Sequence, residues 1–206
     1  MNLEVPLFLG LWIGVFLVTV TLHEYCHGFL ADRLGDPTAR YAGRLSLNPL
    51  KHIDLFWTIL LPAILFISTR GQFMIGMARP VPVNFLNLHN PKRDMIWVAA
   101  AGPFANLVLA WLLTFVYKIF PVPFLLYAIY FNLGLAVFNL IPIPPLDGSR
   151  VLLGLLPPAL GAPYARLEPF GFVLVLALYF SGVLYAVLIP GIRLCAQILG
   201  LPRIEF

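Results

Sequence analysis

The sequence predicts an all-α, polytopic membrane protein that also carries a small membrane-associated β element. Hydrophobic residues make up 61% of the 206 residues and charged residues only 11%, and the mean hydropathy is +0.92. A soluble domain of this length needs far more polar surface. The apolar residues also form several runs of bilayer-crossing length, separated by basic loops. We therefore expect an integral, multi-pass membrane protein with a single membrane-embedded domain, residues 1–206.

The charged residues limit the classes of partner. Thirteen Lys and Arg against nine Asp and Glu give a net charge of +4. In a membrane protein this excess reflects loops that face anionic lipid more simply than it reflects nucleic-acid binding. We expect the lipid bilayer as a partner and no nucleic acid. Cys26 and Cys195 lie in apolar segments far apart in the sequence, which predicts no disulfide framework.

The apolar segments can be placed in order along the chain. Four of them are long enough to span the bilayer, namely residues 5–30, 95–117, 122–143 and 171–189. The stretch 53–69 is shorter and contains Asp54 and Pro62, so we expect it to re-enter the membrane or to lie at its interface. After Pro190, residues 192–199 predict a separate interfacial helix.

Two stretches between the first and second spans predict the β element. Tyr41–Leu47 nearly alternates polar and apolar residues, which is typical of a short strand. Pro80 and Pro82 stand two residues apart, and prolines at this spacing suit an edge strand because they cannot donate ladder hydrogen bonds. The extended edges at residues 40–47 and 77–84 are expected either to accept a substrate by strand addition or to be purely structural.

The opening span ends in the motif His23-Glu24-Tyr25-Cys26-His27. Residues i and i+4 of a helix share one face, so His23 and His27 can direct two imidazoles at one metal ion. In the H-E-x-x-H arrangement these histidines hold zinc, and the glutamate, here Glu24, is the general base for a bound water. Three ionisable groups at the edge of an apolar span are costly, which favours a metal site. The alternative is a solvated or structurally paired His/Glu cluster.

A catalytic zinc usually has three protein ligands and one open position for water. Asp147 is the remaining acid that adjoins the end of an apolar span, after Pro144 and Pro145 and before Gly148. The prolines preclude regular helix, and the glycine permits a tight turn. Irregular backbone at membrane depth is tolerated where it is buried in protein or lines a polar cavity. We therefore predict that Asp147 is a carboxylate ligand on an unwound segment; the alternative is a helix-capping aspartate.

Other residues with ligand chemistry are weaker candidates. Cys26 is not excluded by its angle on the helix, but a small buried thiol more often packs than binds metal. His52 and His89 lie in polar loops, where histidines are more often interfacial or structural. We therefore expect one Zn²⁺ per chain, held by His23, His27 and Asp147.

Membrane topology follows from this ligand set. If Asp147 meets the histidines, segments 5–30 and 122–143 must end on the same side of the membrane, and segment 53–69 cannot cross. Most of the basic residues then share that side, and the positive-inside rule makes it cytoplasmic. We expect the site to lie towards the cytoplasmic side.

Three motifs in this order resemble the site-2 protease family of intramembrane zinc metalloproteases. They are His23-Glu24-x-x-His27, Ala101-Gly-Pro-Phe-Ala-Asn106 and Asn139-Leu-Ile-Pro-Ile-Pro-Pro-Leu-Asp147-Gly148. The resemblance covers about residues 10 to 150. It implies zinc ligation by His23, His27 and Asp147 and catalysis by Glu24, on a three-helix core built from segments 5–30, 95–117 and 122–143. It further implies that Asn139 contacts the substrate or polarises its carbonyl, and that Asn106 lies near the site.

The family resemblance also implies a substrate class, a transmembrane protein that is cut in or near its membrane segment during regulated intramembrane proteolysis. The sequence differs from many members because it shows no PDZ or CBS domain, and segment 53–69 looks like an insertion. Two other functions remain alternatives, a membrane metal transporter and a non-catalytic zinc-binding scaffold. A transporter needs ligands along a path, whereas here they form a single cluster. A scaffold has no need of the base Glu24.

Overall fold

The computed structural model describes residues 4–70, 76 and 78–202, with side chains from residue 10 onwards. Within these ranges the regular secondary structure is entirely helical. In chain order the α-helices are α1 (Glu4–Arg33), α2 (Thr38–Tyr41), α3 (Leu61–Ser68), α4 (Pro91–Ile119), α5 (Pro123–Asn139), α6 (Asp147–Leu155), α7 (Pro158–Ala165), α8 (Gly171–Phe180) and α9 (Val183–Ile198).

Helix α4 is the centre of the molecule, because α1, α5 and α6 all pack against it. In the described part of the chain, two single helices are long and apolar enough to cross a bilayer, Gly10–Arg33 of α1 and Pro91–Ile119 of α4. Helix α4 starts earlier than predicted because Pro91 suits a first helical turn, and the Asp94 carboxylate accepts the backbone N–H of Asn90 at 2.8 Å. The all-α class and the membrane location are thus confirmed.

Helix α5 ends at Asn139, four residues before the predicted end of its segment at 143. The following turn contains Pro142, Pro144 and Pro145, which cannot continue a helix. Helix α6 then begins at Asp147 and packs back against α4. This return from the end of α5 carries Asp147 towards the ends of α1 and α4.

The predicted span at 171–189 is not one continuous helix. Helix α8 ends at Phe180, and Gly182 adopts a left-handed conformation with φ of +77°. Helix α9 then leaves at an angle of 81° to the stretch Pro158–Phe180, so the two form a bent pair rather than one straight helix. The separate helix predicted at 192–199 is also wrong, because α9 runs continuously through Pro190 to Ile198.

The predicted strands are also wrong for every residue that the structure describes; Met77 lies outside these residues. Residues 38–41 form α2, and the amide N–H groups of Arg44 and Leu45 both turn back to the carbonyl of Ala39, at 2.9 and 3.2 Å. Residues 79–84, which we call the strap, have no regular secondary structure and pair with no strand among the described residues. The predicted segment 53–69 is a π-helical turn, Leu55–Leu60, that continues into α3 and is too short to span.

Candidate metal centre

Two helices bring the three predicted ligands together. His23 and His27 lie one turn apart on α1, and Asp147 is the first residue of α6. Asp147 Oδ2 lies 3.1 Å from His23 Nε2 and 3.3 Å from His27 Nε2. The two Nε2 atoms lie 3.1 Å apart. Among the described residues this is the one group of three or more His, Cys, Asp or Glu side chains able to hold a metal ion.

The outer nitrogens of both imidazoles face hydrogen-bond acceptors on α4. His23 Nδ1 lies 2.6 Å from Asn106 Oδ1, and His27 Nδ1 lies 2.7 Å from the carbonyl oxygen of Val98. An oxygen acceptor favours a proton on Nδ1, which leaves the Nε2 lone pair free to bind metal. Both histidines are buried, so these two hydrogen bonds determine how the rings are oriented.

The arrangement fits a zinc ion on three counts. Bonds of about 2.0–2.1 Å to a tetrahedral zinc place its ligand atoms about 3.3 Å apart, close to the 3.1–3.3 Å spacings found here. Asp147 Oδ2 is buried and receives no hydrogen bond from any residue that the structure describes. Gly102 of α4 leaves the space in front of the imidazoles open, since a Cβ there would lie 2.6 Å from His23 Nε2 and closer still to His27 Nε2.

Glu24 lies beside this cluster and is held by the strap. The backbone N–H of Val81 donates to Glu24 Oε2 at 2.7 Å. Because residues 80 and 82 are prolines, Val81 carries the one N–H between Arg79 and Val83. The Arg44 guanidinium anchors the strap from the other side by donating to the carbonyls of Arg79 and Pro80, at 2.7 and 3.4 Å.

A cavity of about 190 Å³ opens onto the cluster. Its lining combines ionisable groups with apolar strap and helix residues, namely Glu24, His27, Asp147 and Arg150 with Pro80, Val81, Val83, Phe85, Val98, Ala99 and Pro145. A water needs about 30 Å³ and several polar partners, so this space admits water beside Glu24. The site therefore joins three atoms able to bind a metal ion, the Glu24 carboxylate and room for water.

The other candidate residues lie elsewhere. Asn139 is half-buried at the end of α5, and its side chain donates to the carbonyl of Leu135 in its own helix at 3.0 Å. Cys26 lines an apolar groove between α1 and α4 rather than the metal centre. His52 lies 2.8 Å from the carbonyl of Ser46. His89 is exposed and belongs to no metal-binding group in the described part of the chain.

Sequence reasoning missed several residues that shape the site. Gly102, Val98 and Val81 act through backbone position, which side-chain chemistry does not reveal. Asn132 and Thr19 contact Asn106 in the interior, and both are single polar residues inside apolar runs, whose pattern predicts only a membrane span. An unexplained asparagine in a membrane span was the one signal that could have pointed to Asn132.

Comparison with known proteins gives consistent matches. A family model described as Peptidase family M50 matches residues 119–182. The chain is 36% identical over 179 residues to "Putative zinc metalloprotease YwhC" of Bacillus subtilis, which covers 80% of this chain and 78% of that protein. It is 33% identical over 190 residues to "Putative zinc metalloprotease Rip2" of Mycolicibacterium smegmatis, with 84% of this chain and 70% of that protein covered. No solved structure gives a significant match.

Proposed function

The chain belongs to peptidase family M50, the site-2 protease family, and from this premise we propose that it is an intramembrane zinc metalloprotease. Its substrates are membrane proteins, whose peptide bonds it hydrolyses in or near their transmembrane segments during regulated intramembrane proteolysis. The observation that carries the proposal is the convergence of His23, His27 and Asp147 on one point, with the Glu24 carboxylate beside it.

Each residue has a distinct role in the proposed reaction. His23, His27 and Asp147 hold one Zn²⁺ per chain. The bound ion supplies Lewis-acid polarisation of the scissile carbonyl and makes a water molecule more acidic. Glu24 accepts the proton of the attacking water and passes it to the leaving amine. Since Oε2 of Glu24 receives the N–H of Val81, we assign the proton transfer to Oε1.

The substrate must approach the site in extended form, because a transmembrane helix engages its own carbonyls in hydrogen bonds. The substrate approaches along the cavity between the strap and α4. This cavity is lined by apolar side chains and by Arg150. We keep Asn139 as a residue that contacts the substrate, and Asn106 as a residue that supports the site through His23. The strap, which lines this cavity with Pro80, Val81 and Val83, is the candidate for contact with the unwound substrate.

We propose that the protein is multi-pass and that its site lies towards the cytoplasmic side. The loop that follows α1 contains Arg33, Arg40, Arg44 and Lys51, and positive residues favour the cytoplasmic face. The metal cluster lies on the last three turns of α1, near this basic end. Water reaches such a site without crossing the hydrocarbon.

The decisive experiment compares the parent protein with Glu24→Gln in cells that co-express single-span membrane proteins as candidate substrates. We expect Glu24→Gln to retain zinc while cleavage falls at least a hundredfold, because the amide cannot accept the proton. Asp32→Asn is the matched control, since Asp32 lies on the same helix, pairs with Arg40 and does not line the cavity. Cleavage by Glu24→Gln at the parental rate would remove the base assignment.

The metal assignment is tested in the same preparations by measuring zinc per chain. Asp147→Ala should lower the zinc content, because two imidazoles alone hold the ion weakly. A zinc content equal to that of the parent would remove Asp147 from the site. Zinc flux through proteoliposomes without any cleavage would instead support a transporter.

A further inference from the structure

Three polar side chains from three different helices meet inside the helix bundle. Thr19 of α1, Asn106 of α4 and Asn132 of α5 are each no more than 1% exposed. Thr19 lies one turn before His23 on the same face of α1. Buried amides and hydroxyls in a membrane protein are costly unless they are hydrogen-bonded. Their partners therefore indicate what the cluster does.

A backbone carbonyl fixes the direction of the hydrogen bonds in this cluster, that is, which atoms donate and which accept. One terminal atom of the Asn132 amide lies 2.9 Å from the carbonyl of Ala128. A carbonyl can only accept, so this atom must be the nitrogen Nδ2. The oxygen Oδ1 of Asn132 consequently faces Asn106, whose Nδ2 donates to it at 3.2 Å. The second N–H of Asn132 donates to Thr19 Oγ1 at 3.1 Å, which holds the amide plane.

Asn106 connects Asn132 to His23, so the direction of its hydrogen bonds reaches the candidate metal centre. With its Nδ2 turned towards Asn132, it presents Oδ1 to His23 Nδ1 at 2.6 Å. This oxygen holds the imidazole proton on Nδ1 and leaves the Nε2 lone pair for the metal. If the Asn106 amide rotated by half a turn, its NH₂ group would face the imidazole and favour the other tautomer, with the proton on Nε2.

We infer that Asn132 is a positioning residue, which sets the tautomer of His23 through Asn106 and so prepares Nε2 to bind zinc. The inference rests on the proposed function, in that His23 is taken as a zinc ligand. The carbonyl of Ala128 orients the Asn132 amide. Thr19 supports this arrangement twice, because its hydroxyl accepts from Asn132 and its backbone carbonyl accepts from Asn106 Nδ2 at 3.4 Å. Asn132 itself touches neither the ligand atoms nor the cavity.

The test is Asn132→Leu, which keeps a similar volume and removes both donor and acceptor. We expect zinc affinity, measured by competition with a chelator, to fall about 10–100-fold, the range found for outer partners of metal-bound histidines. In metal-free protein labelled with ¹⁵N-histidine at alkaline pH, the His23 signal should shift from pure Nδ1–H towards a mixture of tautomers. If Asn132 contributed only to packing, its replacement would not shift the His23 signal. The signal is assigned to His23 by its absence from the spectrum of His23→Ala.

Thr114→Val is the matched control. Thr114 is also a buried polar residue of α4, and its hydroxyl donates to the carbonyl of Ala110 in its own helix at 2.8 Å. Like Asn132→Leu, this variant loses a buried side-chain hydrogen bond, but it loses no contact with the hydrogen-bonded residues that lead to His23. We expect its zinc affinity and its His23 tautomer to match those of the parent.

The possible outcomes separate this inference from the proposed function. A parent protein that binds no zinc, or His23→Ala with parental zinc affinity, contradicts the proposed function. A zinc-binding parent with unchanged affinity and tautomer in Asn132→Leu contradicts the inference alone. Should Asn132→Leu fail to fold, the metal-free parent still decides: a His23 proton on Nε2 overturns the inference, and a proton on Nδ1 supports it.

Discussion

Gly102 of α4 lies beside the two imidazoles, where the structure leaves no room for a side chain. A Cβ at this position would lie 2.6 Å from His23 Nε2 and 2.7 Å from His23 Cε1. Both are shorter than atoms in contact allow, and the neighbouring side chains are held by hydrogen bonds to Asn106 and Val98. The absence of a side chain at this position therefore leaves room where the Nε2 lone pairs of the two proposed ligands converge.

We expect Gly102→Ala to weaken zinc binding at least tenfold, because the new methyl group displaces both Nε2 atoms. The measurement is zinc per chain after dialysis against a buffered low zinc concentration. Gly134→Ala on α5 is the matched control, since a Cβ there meets only Ile192 Cδ1 at 3.7 Å, an ordinary contact. A parental zinc content in Gly102→Ala would show that the imidazoles can move apart without weaker zinc binding, and it would contradict this prediction.

Residue spacing predicts part of this centre and no more. The i, i+4 spacing of His23 and His27 directly encodes one helix face, and Asp147 stands out as an acid beside prolines at the end of an apolar span. Asn132 reaches His23 only through Asn106, across sequence separations of 26 and 83 residues. Such contacts depend on how the helices are rotated about their axes, which a single sequence does not determine.

At the scale of an element, the strap is held against α1 by a close approach at Gly28. A Cβ on Gly28 would lie 2.8 Å from Val81 Cγ1 and 3.2 Å from Ala39 Cβ. Gly28 lies one turn beyond Glu24, so this approach sets how near Val81 comes to the Glu24 carboxylate. The alternation and the paired prolines predict strands here, but the N–H groups of these segments bind other acceptors. Val81 donates to Glu24, and Arg44 and Leu45 donate to the carbonyl of Ala39.

We expect Gly28→Val to displace the strap and to reduce substrate cleavage about tenfold, because a misplaced base slows proton transfer. Zinc content should stay at the parental level, since no ligand is moved. The cleavage assay should include Gly14→Val, a change of the same kind on α1 at a position with no neighbour within 4 Å. Equal rates in the two variants would mean that the strap does not position Glu24.

The far end of the strap depends on Asp36. Its carboxylate is fully buried and accepts from the backbone N–H of Asn84 at 2.7 Å and from the Asn87 side chain at 2.9 Å, as well as from Thr38. Burial opposes ionisation, but these hydrogen bonds outweigh it and hold the pKa of Asp36 below its ordinary value. The ionised carboxylate therefore stabilises the folded state.

This lowered pKa predicts acid sensitivity. The stabilisation is fully present above the unfolded pKa, about 4 for an aspartate, and is lost as pH falls through the lower folded pKa. We expect the midpoint temperature of unfolding of the parent to decrease as the pH is lowered below about 4. In Asp36→Asn this temperature should vary less with pH. The measurement uses metal-free protein in detergent, so that acid release of zinc does not contribute. Parallel pH profiles for both proteins would exclude Asp36 as the source.

At the scale of the whole molecule, hydropathy predicts α1, α4 and α5 because each contributes a long apolar run. It fails at the C-terminal region, where α8 and α9 are divided at Ser181 and Gly182 inside a stretch that remains apolar on average. A window average cannot register a single left-handed glycine. Hydropathy also predicts the end of α5 too late, since Leu140, Ile141 and Ile143 extend the apolar run beyond the helix.

Zinc should stabilise the whole fold, because its proposed ligands come from two helices that pack mainly on a third. Helices α1 and α6 each pack against α4, so an ion held by His23, His27 and Asp147 adds a direct link between them. At a free zinc concentration about 100 times Kd, binding adds about 2.7 kcal/mol. For a chain of this size each kcal/mol raises Tm by roughly 2–4 °C, so we expect a rise of about 5–10 °C over chelator-treated protein. Glu24→Gln should keep this rise and His27→Ala should lose it; an equal rise in His27→Ala would place the stabilising zinc elsewhere.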